Sequence, residues 1–172
     1  MKILITGIGG SGKTTLVEAL SRKGNIGVDL DKTGLCFWVN KITGEKSKYT
    51  AGAGPAWIEN HSWKLNVDGL KKRLGEFSSE VNIYVGGKIA SSQIKDVFPL
   101  FDKVFLLRPS DDVLAHRQST RTNKENKFAK SKDEQEHLRV GRIKFEEECL
   151  KNGAIIIDAD KSVAEITNIV NS

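Results

Sequence analysis

The stretch Gly7-Ile8-Gly9-Gly10-Ser11-Gly12-Lys13-Thr14 fits the pattern G-x-x-x-x-G-K-[ST], a loop that cradles phosphate. The apolar run Ile3, Leu4, Ile5 ahead of it predicts a buried strand, and Leu16, Val17 and Leu20 behind it recur at helical spacing. A loop held between a strand end and a helix N-terminus offers backbone N–H groups and the positive end of a helix dipole to an anion. Its glycines let the backbone wrap closely around phosphate oxygens. Gly7, Gly9, Gly10, Ser11, Gly12, Lys13, Thr14 and Thr15 are therefore expected to bind the phosphates of a nucleotide. Lys13 would reach the β- and γ-phosphates, and the Thr14 hydroxyl would ligate Mg²⁺.

The rest of the chain repeats the strand–helix alternation. Strands are expected at Ile3–Thr6, Asn25–Asp29, Val81–Gly86, Val104–Leu107 and Ala154–Asp158. The first helix runs to about Arg22, with Glu18 and Arg22 spaced to pair. A second starts at Asp68 as N-cap, with Leu70, Leu74 and Phe77 on one face, and Ile94, Val97 and Phe98 mark a short third. A fourth starts at Ser110, with Asp111 and Asp112 near its positive end. A fifth opens with Ser131-x-x-Glu134 and stops at Asn152-Gly153, and the last opens with Ser162-x-x-Glu165 and buries Val163, Ile166, Ile169 and Val170. Five strands alternating with helices predict an α/β fold: a five-stranded, mostly parallel sheet covered on both faces. Right-handed crossovers place the loops after the strands along one ligand-binding edge. The phosphate loop, Asp29/Asp31, Gly86-Gly87 and Asp158–Lys161 should all line that edge.

At 172 residues the chain is expected to form one domain, residues 1–172, with a core of its own. No apolar run approaches a membrane span, and the N-terminal run feeds into the phosphate loop rather than a cleavage site. Cys36 and Cys149 lack metal-ligand spacing and read as reduced thiols, which suits a cytoplasmic protein. The net charge of +5 is compatible with nucleic acid or with a lid that closes on a polyphosphate. Lys124, Lys127, Lys130 and Lys132 crowd into residues 122–132, which favours a mobile lid there. Residues 32–66 break the rhythm. Leu35–Asn40 and Lys46–Thr50 flank Lys41–Glu45 as a small hairpin, Gly52–Pro55 reads as a loop, and the whole insert is placed to cover an acceptor side of the cleft.

Taken together the chain resembles the P-loop small-molecule kinases of nucleoside-monophosphate-kinase architecture, closest in layout to the shikimate and gluconate kinase branch and its uncharacterised bacterial ATP-binding relatives. The resemblance covers most of the chain except residues 32–66. It implies a three-layer P-loop fold with ATP and Mg²⁺ as ligands. It also implies roles for Asp29-Leu30-Asp31: Asp29 holding Mg²⁺ through water, and Asp31 facing the acceptor hydroxyl. Strand three, ending at Gly86, carries no acid, so Asp29 is the substitute; the alternative is that these acids cap a turn with Lys32. The same resemblance puts Gly86-Gly87-Lys88 at the floor of the acceptor site, unless it is a plain tight turn. It gives Arg117 an adenine-stacking role and Arg121 a phosphate-contacting catalytic role, with Arg142 able to swing in beside them. Asp160 and Lys161, in the loop after strand five, would meet adenine through the backbone; Asp160 or Ser162 would alternatively cap the last helix.

The acceptor is bounded less tightly. Between strands two and three Arg73 is the only arginine, which argues against a second phosphate site or a carboxylate acceptor. Trp38, Trp57, Trp63, Tyr49 and His61 all fall in the insert and either present flat faces to a base or sugar ring or form a satellite core. The expected function is ATP- and Mg²⁺-dependent phosphoryl transfer to a small hydroxyl compound such as a nucleoside or sugar. Lys13, Arg121 and the loop amides would stabilise the transferring group, Thr14 and Asp29 would hold Mg²⁺, and Asp31 would orient the acceptor. The partners expected are ATP and that acceptor, with neither nucleic acid nor membrane, in a monomer or a homodimer. The rival classes are a nucleic-acid end kinase and a non-transferring ATP switch.

Overall fold

The computed structural model describes residues 1–22, 24–50, 52–78, 80–120 and 132–172, the side chains of 132–135 and 138 excepted. Arg121, the segment 122–131 and the expected Ser131 cap lie outside the described residues.

Along the chain run β1 (Lys2–Thr6), α1 (Lys13–Leu20), β2 (Ile26–Asp29), β3 (Cys36–Asn40), β4 (Lys46–Ser47), α2 (Gly54–Asn60), β5 (His61–Leu65), α3 (Val67–Gly75), β6 (Ile83–Gly86), α4 (Ile94–Val97), β7 (Lys103–Arg108), α5 (Asp111–Ser119), α6 (Lys132–Lys151), β8 (Ile155–Asp158) and α7 (Val163–Asn171). The main sheet has the order β2-β6-β1-β7-β8, and every pair in it is parallel. This is the expected α/β architecture, a five-stranded parallel sheet with helices packed on both faces.

Strand alternation sorts the apolar residues into two cores. Ile3, Ile5, Tyr84, Phe105 and Leu107 pack with Leu16, Val17 and Leu20 of α1 and Ile166 and Val170 of α7. Leu4, Ile83, Val85, Val104 and Leu106 pack with Leu70 and Leu74 of α3, Ile94 and Val97 of α4, Leu114 of α5 and Phe145 and Cys149 of α6. Gly86 has no Cβ where one would lie 2.8 Å from Val17 Cγ2, so α1 seats closely on the sheet just behind the phosphate loop.

Several sequence expectations need correction. Helix α1 stops at Leu20, so Arg22 is outside it, and Glu18 pairs instead with Lys32 at 3.6 Å. Helix α3 is capped by Asn66, whose side chain accepts from the Gly69 N–H, while Asp68 lies in the first turn and pairs with Lys71. In α7 Ile166 and Val170 are buried, but Val163 and Ile169 are 39 and 41% exposed, because the helix meets the sheet and α1 along a narrow stripe. The capping box of α7 is present, with Ser162 accepting from the Glu165 N–H and Glu165 accepting from Ser162.

The hairpin expected after β2 exists, but it is part of an antiparallel sheet of order β4-β3-β5. Trp38 faces Trp63 and Cys36 faces Leu65 across β3 and β5. The segment read as a loop starts α2 at Gly54, where Pro55 occupies the first turn, a position that needs no N–H. Trp57 from α2 covers the sheet: it stands edge-on to Trp38 at 5.2 Å and stacks on His61 at 3.8 Å. The Trp57 carbonyl accepts from His61 Nδ1. All these rings stay half-buried. The cluster thus holds the insert together and still presents ring edges to solvent.

Candidate active site

The site is built where β1, β2 and β6 end side by side. Ile5 is the parallel neighbour of Gly86, and Gly86 of Asp29, so the phosphate loop, the turn after β2 and the turn after β6 leave the sheet together. In the loop Gly7 has φ 151°, and a Cβ there would lie 2.6 Å from Ser11 Oγ and 2.9 Å from the Leu107 carbonyl oxygen. Gly12 is left-handed, with φ 99°, and serves as N-cap of α1. Only glycine takes both positions without strain, and the cradle would be filled by any side chain at Gly7.

Lys13 bends back so that Nζ donates to the carbonyls of Gly7 and Ile8, both at 2.9 Å. Thr14 Oγ1 donates to Asp29 Oδ2 at 3.0 Å. The same carboxylate caps the turn after β2, with Oδ1 accepting from the Asp31 N–H at 3.1 Å and Lys32 Nζ 3.9 Å from Oδ2. Asp29 therefore caps the turn beside Lys32, and its Oδ2 also meets Thr14. A groove of about 300 Å³ opens beside this pair, bordered by Glu18, Lys32, Thr33 and Arg73. Asp31 is exposed on the turn, and Thr15 is exposed in the first turn of α1. Burial pushes the Cys36 thiol up to about 12, with the Asp31 and Asp29 charges adding to it, so β3 starts close behind the acidic turn.

On the other flank Arg117 of α5 joins two loops. Its Nη2 donates to the Ala159 carbonyl at 3.0 Å and its Nη1 to Ser11 at 3.4 Å. Its guanidinium thus lies between the phosphate loop and the loop after β8. Asp160 uses its side chain to accept from the Ser110 N–H, and that bond, with the Ser110 hydroxyl, holds its carboxyl below the usual range. Ser162, not Asp160, caps α7, while Lys161 is exposed. Gln118 was not anticipated. It is buried, and its Nε2 donates to the Gly9 carbonyl at 2.8 Å, fastening the loop from behind. A polar residue on the inner face of α5 was the only signal for it.

Arg142 is corrected from a swinging lid residue to a fixed one. It is 6% exposed and bonds Glu146 at 2.6 Å, Asp111 at 2.7 Å and the Pro109 carbonyl. Glu146 also receives Arg108 at 3.1 Å. A cavity of about 340 Å³ beside this network is lined by the same groups, with Arg108 and Arg142 paired there to Glu146 and Asp111.

The residues fit the groups implied by the sequence. Ser11 Oγ and Thr6 Oγ1 are buried beside the loop without a hydrogen-bond partner among the described residues, as suits a cradle shaped for further oxygens. Thr14 and Asp29 make an all-oxygen pair, the donor type that Mg²⁺ prefers.

Fold and loop together define a P-loop nucleotide-binding protein of kinase architecture. Residues 3–139 match the family described as an AAA domain, and the chain belongs to that family. No curated protein sequence matches it. Among solved structures it is similar to a deoxyadenosine kinase from M. mycoides with bound dATP, with TM-score 0.57 and 18% identity over 100% of both chains. It is also similar to shikimate kinase from Aquifex aeolicus, with TM-score 0.58 and 20% identity over 99% of this chain and 94% of that one. A gluconokinase from Sinorhizobium meliloti gives TM-score 0.57 and 18% identity over 97% and 87%. At these identities the likeness establishes the shared fold. No helix among the described residues is long and apolar enough to cross a membrane.

Proposed function

We propose that the protein transfers the terminal phosphoryl group of ATP to a hydroxyl group of a small molecule. The observation that carries this reading is the Thr14–Asp29 hydrogen bond, which ties the phosphate loop to the acidic turn that also holds Asp31. Asp29 would serve the metal of any bound nucleotide, whereas Asp31, held on the same turn, is a second carboxylate available to an acceptor. In the reaction the acceptor oxygen forms a bond to the γ-phosphorus, the bond from that phosphorus to the β,γ-bridging oxygen breaks, and ADP leaves with the electron pair. Asp31 takes the hydroxyl proton, while Lys13 and the loop N–H groups offset charge on the phosphoryl oxygens. Mg²⁺, held by Thr14 and Asp29, would supply further neutralisation of phosphate charge. Arg117 would hold the base against the loop after β8, with the backbone of Asp160 and Lys161 on its edge. Arg121 would add a second cation to the phosphates.

The test is ADP release from Mg·ATP with and without pooled nucleosides, sugars, polyols, hydroxy acids and phosphate esters. Acceptor-stimulated release is expected, and Asp31→Asn should lower it about 100-fold or more while nucleotide affinity stays within about twofold. Tight ATP binding that no pool stimulates would overturn the transferase reading.

A further inference from the structure

Lys88 is the residue that neither the phosphate loop nor the acidic turn uses. It follows Gly87, whose N–H donates to the Ile5 carbonyl at the end of β1. Gly87 packs on Leu30 so closely that a Cβ would lie 2.6 Å from Leu30 Cδ1 and 2.9 Å from Leu30 Cβ. Asp31 and Lys88 are each the next residue after the two partners of that contact. One expected acceptor-facing carboxylate and one lysine therefore leave the same point at the sheet edge.

Lys88 lies against the inner face of α6, beside Phe145 and the buried Cys149 thiol. Its side chain is half-buried, and Nζ lies 5.6 Å from the centre of the Phe145 ring on α6. Among the described residues no carboxylate, carbonyl or hydroxyl lies within hydrogen-bonding or ion-pair distance of it. Burial pushes its ammonium below the usual lysine range. A partly desolvated ammonium without a hydrogen-bond acceptor is costly, and a ring face offsets little of that. Other cations around this side of the fold are engaged: Arg73 bonds Glu76 at 2.9 Å, Lys64 bonds Ser92 at 3.1 Å, and Lys32 lies near Glu18 and Asp29. The scarcity of arginines argued against an anionic acceptor; Lys88 supplies the missing charge from a different residue type.

We infer that Lys88, set on Phe145 beside the Leu30–Gly87 contact, is an anion-binding subsite of the acceptor site, so that the accepting molecule is a hydroxyl compound bearing a carboxylate or a phosphate ester. This rests on the phosphotransferase reading above and names the substrate class for it. Asp31 would face the hydroxyl and Lys88 the anionic end, which orients the molecule between the turns after β2 and β6.

Matched acceptor sets test this: a polyol, its carboxylate and its phosphate ester, differing only in the anionic group. The expected result is ADP release stimulated by at least one anionic member over its neutral parent. Lys88→Met, which keeps the length and the contact with Phe145, should raise the KM for that acceptor about 10- to 100-fold while the KM for ATP stays unchanged. A binding readout that needs neither turnover nor the variant is protection of Lys88 from an amine-reactive label, followed by peptide mass spectrometry in protein saturated with a non-hydrolysable ATP analogue. The carboxylate or the phosphate ester should protect Lys88, and the polyol should not; which of the two protects identifies the anion. Transfer to neutral acceptors alone, with Lys88→Met indistinguishable from the parent, would overturn the subsite and leave the kinase reading intact. Protection by the anionic probes without any phosphoryl transfer would keep the subsite and overturn the kinase reading. Equal labelling under all probes would overturn the subsite.

Discussion

At the scale of single residues the phosphate loop is held from three sides. Lys13 grips its own Gly7 and Ile8 carbonyls, Gln118 grips Gly9, and Arg117 reaches Ser11. This division of labour makes the contributions of fold and chemistry separable. Lys13→Ala removes the ammonium that would meet the β- and γ-phosphates but leaves the Gln118 and Arg117 ties in place. It should lower kcat/KM about 100-fold or more, with the native circular dichroism spectrum retained. Gly7→Ala acts the other way. Its methyl would meet Ser11 Oγ at 2.6 Å and a backbone carbonyl at 2.9 Å, in a conformation that L side chains rarely adopt. A loss of about 1–3 kcal/mol in stability is expected by urea denaturation, together with loss of nucleotide binding. Retained transfer in Lys13→Ala at the parent rate would remove the phosphate loop from the chemistry.

At the scale of elements, the last helix shows how local chemistry sets a boundary. The Ser162–Glu165 capping box satisfies orphan N–H groups at the start of α7, which carries Ile166 and Val170 into the core under α1. Ser162→Ala should lower the melting temperature by about 2–4 °C near neutral pH. The Ser162 hydroxyl and N–H hold the Glu165 carboxyl below its usual range. A depressed carboxyl contributes stability above its unfolded value and loses it as pH falls through the folded one. The gap between parent and variant should therefore narrow as pH falls below the ordinary glutamate value of about 4.3, in melting curves taken across that range. Such signals were legible because they are local: Ser and Glu three apart, an apolar strand before a glycine loop, Asp29 at a strand end. That the main sheet is parallel followed from the same local units, whereas the strand order β2-β6-β1-β7-β8 is a property of the folded chain alone. What was not legible depended on partners distant in sequence. Asn66 rather than Asp68 caps α3 because the helix starts two residues earlier. Arg142 reads as a mobile cation until β7, α5 and α6 bring Pro109, Asp111 and Glu146 around it. The missed strand β5 did carry a signal, Trp63 and Leu65 alternating with Ser62 and Lys64, but α2 was hidden by Gly52 and Gly54 beside Pro55.

At the scale of the whole molecule, two sheets meet at one edge of the cleft. The parallel sheet delivers the phosphate loop and Asp29, and the antiparallel sheet starts at Cys36, just after the acidic turn, and carries the aromatic cluster outward. Helix α2 also packs against α6, where Glu59 lies 3.7 Å from His137. The insert is thereby attached both to the acidic turn and to the helix that follows the expected lid, so closing the cleft on an acceptor would have to move or restrain it. Nature has placed all three tryptophans, Trp38, Trp57 and Trp63, in this one sheet and its covering helix. Intrinsic tryptophan fluorescence therefore reports on the insert alone. If residues 32–66 form the acceptor side, Mg·ATP by itself should leave the emission nearly unchanged. Adding an acceptor to nucleotide-saturated protein should shift or quench it, because half-buried rings respond to small changes in solvent contact. A response to nucleotide with none to acceptor would place the insert on the nucleotide side and would detach the aromatic cluster from substrate recognition.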